Sequence, residues 1–211
     1  MPQIHELTAA EIARQIRDRT ITPIKVVQAL LARMDALEPQ LEAWVRVDRE
    51  TVLADAQQRQ AEMDIGAETG PLHGVPIGIK DIYNIAGIPT TAGSKVYADY
   101  VPDETAVTID LLQKAGAIML GKTVTTEFAC LDPSHTKNPW NPAHTPGGSS
   151  SGSAVSVAAR MCPIAMGSQT VGSVLRPASY NGIVGLKPTY GRVSRRGVVP
   201  VSWSLDTVGW M

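Results

Sequence analysis

The stretch from Thr145 to Thr189, TPGGSSSGSAVSVAARMCPIAMGSQTVGSVLRPASYNGIVGLKPT, constrains this chain more than any other. Four serines, Ser149, Ser150, Ser151 and Ser153, crowd a glycine-rich run. By composition alone such a run is a solvated linker. Here it leads straight into the helical pattern SAVSVAARM, which docks the loop at a helix N-terminus, where unpaired N–H groups and the positive dipole end gather. An apolar run, Pro163–Met166, follows, and then a small polar turn, GSQTVGS, which ends in a further serine, Ser173. The stretch contains no His, Asp or Glu. Serine chemistry built here must therefore draw its base from elsewhere in the chain.

Histidine is a poor source. The four histidines, His5, His73, His135 and His144, all precede Ser149. Gly148–Gly152, GSSSG, formally matches G-x-S-x-G, but that elbow needs a strand before it and a histidine after it. The approach here is NPWNPAHTPG, with no apolar strand. Lysine serves as a base when it is neutral. Lys80 follows the apolar Ile77-Gly78-Ile79, and a lysine at the end of a buried strand loses its charge by desolvation. The plainer alternative is a strand-end lysine whose head reaches water. A strand followed by a turn of successive backbone N–H groups makes an oxyanion hole, and Pro163–Ser173 has that pattern. Serine–lysine pairs are a known variant of triad logic; if Lys80 is neutral and a second serine carries the proton, Lys80, Ser149 and Ser173 would form a relay.

A second motif is a decoy. Gly116–Thr123, GAIMLGKT, matches the phosphate-loop pattern G-x-x-x-x-G-K-[ST]. Its intervening residues are apolar and seek burial. The expected reading is a cap glycine, a short strand over residues 117–120, and a helical start after Thr123.

The remaining chain reads as α/β. Thr8 with Glu11 is a capping box opening a helix over 8–19. Thr22-Pro23 opens a second, ended by Glu38-Pro39. A strand over 44–47 and a third helix over 49–63 follow. Residues 1–69 are thus mostly helical scaffold, and residues 70–211 carry the motifs of one single domain. Beyond Leu72, Pro, Gly and Ile alternate as in short strands and tight turns. Residues 104–115 form a helix with Gly116 as its cap.

Composition excludes several classes. Hydrophobic residues make up 44% and charged residues 18%, enough for a packed core. Net charge is -1, so neither nucleic acid nor a membrane surface is an expected partner. Cys130 and Cys162 match no metal spacing and are expected to be buried free thiols. No metal and no cofactor is expected. The N-terminus is not a signal peptide, and a reducing, cytoplasmic setting follows. The sequence stops at SWSLDTVGWM without a closing helix and is expected to be the N-terminal portion of a longer protein.

These pieces together resemble the amidase signature family. The matching motifs run from Gly70 to the end: GPLHGVPIGIKD, TTAGS, AGAIMLGKTVTTEF, KNPWNPAHTPGGSSSGSA, GSQTVGS with RPAS, and GIVGLKPTYGRVSRRGVVP. The resemblance implies an α/β/α sandwich with a mixed central sheet, preceded by a helical region. It implies hydrolysis of a small-molecule carboxylic amide through a seryl acyl-enzyme. Lys80 would be the base, Ser149 a bridging serine after a cis peptide, and Ser173 the nucleophile. The backbone N–H groups of Thr170, Val171, Gly172 and Ser173 would form the oxyanion hole. It also leaves room for a homodimer. Three departures stand out. Gln169 replaces a frequent Asp, Val171-Gly172 replaces Gly-Gly, and Ser151 replaces Gly. A valine would be strained at position 171 if φ were positive there; otherwise it would narrow the pocket. The alternatives are the A subunit of a tRNA-dependent amidotransferase, a non-catalytic fragment, and a phosphate-loop nucleotide binder.

Overall fold

The computed structural model describes residues 2–211. Helix α1 (Ala9–Arg17) begins at Thr8, whose hydroxyl accepts the Glu11 N–H at 3.2 Å while the Glu11 carboxylate accepts the Thr8 N–H at 2.8 Å. This is the reciprocal box read from the sequence. Helix α2 (Pro23–Leu41) starts with Thr22 as cap and Pro23 at its first position. It does not stop at Pro39. The proline sits in the last turn, and the helix ends at Glu42, which is left-handed. Glu38 shapes the exit, its carboxylate accepting the N–H groups of Ala43 (3.1 Å) and Trp44 (2.8 Å).

Strand β1 (Trp44–Arg46) leads to α3 (Arg49–Asp64), capped by Asp48. Strand β2 (Pro76–Lys80) is buried throughout. Helix α4 (Val107–Lys114) precedes β3 (Ile118–Thr123). Helix α5 (Ser151–Ala158), β4 (Ala165–Gln169), α6 (Leu175–Asn181) and β5 (Thr207–Trp210) complete the order. The sheet runs β1-β3-β2-β4-β5. The central β3–β2–β4 pairings are parallel and the two outer pairings antiparallel, so the sheet is mixed, as expected.

The two faces are separate cores, set by the period-2 alternation of strands. Ile118 and Leu120 pack with α1, α2, α3 and α5. Ile77, Ile79, Ala117 and Met166 pack on the other face with Ile109 of α4 and the segment Val193–Val199. Lys80 alternates with Ile79 and so points to the α5 face.

The phosphate-loop reading is excluded by this arrangement. Residues 118–123 form one continuous inner strand rather than a strand ending at Leu120, and no helical start follows Thr123 directly. Gly116 does serve as the turn glycine, with φ 93° and an added Cβ 2.7 Å from His73 Cα, where only glycine fits. Cys162 is buried as expected, but Cys130 is exposed. It sits in the loop after a short 3-10 turn (Glu127–Ala129), outside both cores. No described helix is long and apolar enough to cross a membrane.

Candidate active site

The site forms at the C-terminal ends of the three parallel strands. Lys80, the last residue of β2, is completely buried. Its Nζ is hydrogen-bonded to Ser149 Oγ at 2.7 Å and to Ser168 Oγ, on β4, at 2.9 Å. Burial lowers its pKa to about 7, and the more distant carboxylate of Asp206 works in the opposite direction. At neutral pH the amine is thus substantially unprotonated, without a cationic neighbour being needed.

Ser149 follows a cis peptide bond from Gly148. Its loop is fixed from several sides. The Ser149 carbonyl accepts the Thr126 N–H at 3.1 Å. The Gly148 carbonyl accepts two bonds from the Arg176 guanidinium, at 3.0 and 2.7 Å. Asn181, also on α6, donates to the Pro146 carbonyl at 2.8 Å. Gly152 allows the first turn of α5 to lie directly on the β1–β3 ends: a Cβ there would sit 2.2 Å from the Ala43 carbonyl oxygen. The glycine of GSSSG is therefore a close-approach residue. Ser150, the central serine of that motif, is fully buried with its Oγ bonded to the Ser168 backbone, so the elbow reading fails.

Ser173 lies in the turn between β4 and α6 and is nine-tenths buried. Its carbonyl accepts the Ser150 N–H at 3.3 Å. Among the described residues, no hydrogen bond joins the hydroxyls of Ser173 and Ser149. The structure thus brings Lys80 and Ser149 into contact and sets Ser173 on the adjoining loop. The backbone N–H groups of Thr170, Val171, Gly172 and Ser173 have no acceptor among the described residues. Successive free N–H groups of this kind are donors available to a developing negative charge.

The three departures each have a physical account. Gln169 uses both ends of its amide. Nε2 donates to the Val171 carbonyl at 3.0 Å, while Oε1 accepts the N–H groups of Val174 (3.0 Å) and Leu175 (2.9 Å). It clamps the turn and caps the start of α6. Val171 lies outside the left-handed region and is 86% exposed, so its backbone is unstrained. Ser151 Oγ bonds Ser134 Oγ at 2.7 Å, tying in the preceding loop.

Several residues escaped the sequence reading. Ser168 is the second partner of Lys80, and only the β2–β4 register brings them together. Asp206 accepts the Thr170 hydroxyl at 2.6 Å and the N–H groups of Val201 and Ser202 at 2.7 and 2.9 Å. It shares a cleft with Ser168, Arg195 and Trp203. Among the described residues no cluster of His, Cys, Asp and Glu could hold a metal ion.

Fold, motifs and site converge on one family, and the chain belongs to it: the amidase family model matches residues 25–211. Among curated relatives, the glutamyl-tRNA(Gln) amidotransferase A subunit of Carboxydothermus hydrogenoformans is 43% identical over 213 residues, covering 98% of this chain and 44% of its own length. A solved native peptide amidase from Stenotrophomonas maltophilia superposes with a TM-score of 0.90 at 38% identity, covering 97% of this chain and 45% of its own. A solved fatty acid amide hydrolase gives 0.88 at 29% identity, with 99% and 38% covered. The chain spans less than half the length of these relatives. The fold is the amidase-signature α/β/α sandwich with its mixed sheet.

Proposed function

We propose that the full-length protein hydrolyses the C–N bond of a small carboxylic amide through a seryl acyl-enzyme. The observation that carries this reading is Lys80, completely buried, with two hydroxyls as its hydrogen-bond partners. Hydroxyls donate or accept, so they accommodate a neutral amine that must take up a proton.

In this reading Ser173 Oγ attacks the carbonyl carbon as its proton passes through Ser149 to Lys80. The Ser173 hydroxyl must turn toward Ser149 for this, a tightening common when substrate arrives. The N–H groups of Thr170–Ser173 hold the oxyanion. The C–N bond then breaks, Lys80 returns the proton through Ser149 to the leaving nitrogen, and ammonia or an amine departs. Water repeats the sequence on the ester, releasing the acid and freeing Ser173. Two unpaired cysteines support a reducing, cytoplasmic setting.

The second reading is the A subunit of a tRNA-dependent amidotransferase, favoured by the curated relative named above. One assay separates them: ammonia release from a panel of simple amides by the purified full-length protein, alone, beside its Ser173→Ala variant. Release abolished in the variant supports the amidase. No release without a partner protein favours the amidotransferase.

A further inference from the structure

The lysine of the GAIMLGKT motif is left unused by the reaction above. Lys122 and Asp81 are both buried. Strands β2 and β3 pair Ile79 with Lys122 and Lys80 with Thr123, after a register shift between Ile77 and Gly78. That irregularity reverses the alternation along β3. Leu120 packs on the α5 face, yet Lys122 projects with Ile79 to the opposite core, away from Lys80. There its Nζ donates to the Tyr83 carbonyl at 2.7 Å and to Thr90 Oγ1 at 2.9 Å. Asp81 Oδ1 lies 2.9 Å from the same nitrogen, an ion pair out of hydrogen-bond alignment. Asp81 Oδ2 accepts the Thr91 N–H at 3.0 Å and its hydroxyl at 2.5 Å.

The two buried lysines thus have different kinds of partner. Lys80 meets hydroxyls, which suit either charge state. Lys122 meets a carboxylate and a carbonyl, which only accept, and the Thr90 hydroxyl, whose own proton goes to the Tyr83 carbonyl at 3.3 Å. Burial lowers its pKa, but the Asp81 carboxylate works against that, and three acceptors around one nitrogen call for an ammonium. Its grip also reaches the site. Lys122 fixes the Tyr83 carbonyl, and the Tyr83 hydroxyl donates to the Gly167 carbonyl at 2.6 Å. The next residue, Ser168, is the second partner of Lys80.

We propose that Lys122, paired with Asp81, is a positioning residue for Lys80: a fixed cation, neutralised in place, that anchors the chain leaving β2 and leaves Lys80 as the one buried amine that exchanges a proton. This rests on Lys80 being the base. The other charged groups near the site are Asp206 and Arg195, which share the cleft with Ser168, and Arg176 of α6, which is bound to the Gly148 carbonyl; α5 and β4 contribute none.

The test is the pH profile of kcat/KM for the full-length protein as wild type, Lys122→Met, Asp81→Asn and the double variant. Lys122→Met removes the cation that balances the Asp81 carboxylate, which Thr91 still holds, and an unbalanced carboxylate favours protonated Lys80. Its acid limb should move up by about 0.5–1 pH unit. Asp81→Asn leaves an unbalanced cation and should move the limb down by about as much, while the double variant returns it to the wild-type position. Limbs that coincide, or that move in one direction, overturn the proposal. A Lys80→Met protein that keeps full activity instead overturns the underlying assignment of the base, and the proposal with it. Should the variants not fold, NMR of the wild type labelled at lysine Cε decides, with Lys80→Met used for assignment. Lys122 should stay protonated while Lys80 titrates near 7. Lys122 titrating together with Lys80 would overturn the proposal.

Discussion

The Ser150 N–H donates to the Ser173 carbonyl across 3.3 Å, so the two serine loops are joined through their backbones and not through their hydroxyls. Alignment of Ser149 with Ser173 therefore depends on what holds those backbones. Arg176 and Asn181 of α6 grip the first loop, and Gln169 of β4 grips the second. Helix α6 and strand β4 act as one frame for both.

The hydroxyls around Lys80 should differ in importance. Ser149→Ala removes the proposed relay and should lower kcat/KM for an amide by ~10²–10⁴. Ser168→Ala removes only a lateral hydrogen bond and should cost about tenfold. Steady-state kinetics at a pH above the acid limb compares them; equal losses would show that Ser149 has no special role.

Burial of Lys80 makes stability depend on pH. Its pKa is about 7 in the fold, against an ordinary value of 10.5 for a solvated lysine, so between these the unfolded chain binds more protons. The Lys80 contribution is therefore fully present above the unfolded value and is lost as pH falls toward 7. Relative to Lys80→Met, the wild type should gain about 2–3 kcal/mol between roughly pH 7.5 and 9.5. Urea unfolding of both proteins at the two pH values measures it, and parallel pH dependence would refute it.

Gln169→Leu removes three hydrogen bonds from the turn that carries Thr170–Ser173. It leaves the buried Val174 N–H without a partner, a loss of ~1–3 kcal/mol. Because the turn also loses its shape, kcat should fall more than KM rises. Denaturation midpoints and kinetics together report this; unchanged kcat would mean the turn is held by other contacts.

Gly152→Ala forces a methyl group against the Ala43 carbonyl and the Val124 nitrogen, which lie 2.2 and 2.4 Å from the ideal Cβ. Both are backbone atoms and cannot swing aside. A destabilisation of ~1–3 kcal/mol is expected, read as a lower melting temperature. Gly172→Ala is a fitting control, since its nearest atom is Arg176 Cβ at 3.6 Å, and its stability should stay close to wild type.

The sequence by itself determined what is local. Thr8 with Glu11, Thr22 with Pro23, the apolar runs of β2 and β4 and the turn glycine Gly116 all act within a few residues of one another, and their chemistry is legible in order along the chain. The motif pattern also placed Lys80, Ser149 and Ser173 as candidates. Tertiary structure decided the rest, because it depends on register and burial between distant strands. Ser168 reaches Lys80 only through the β2–β4 pairing. Lys122 turns away from Lys80 only because the β2–β3 register slips, a shift that no periodicity in GAIMLGKT announces. Gln169 and Val171 read as departures from a pattern until the fold shows one clamping a turn with both ends of its amide and the other exposed with an unstrained backbone.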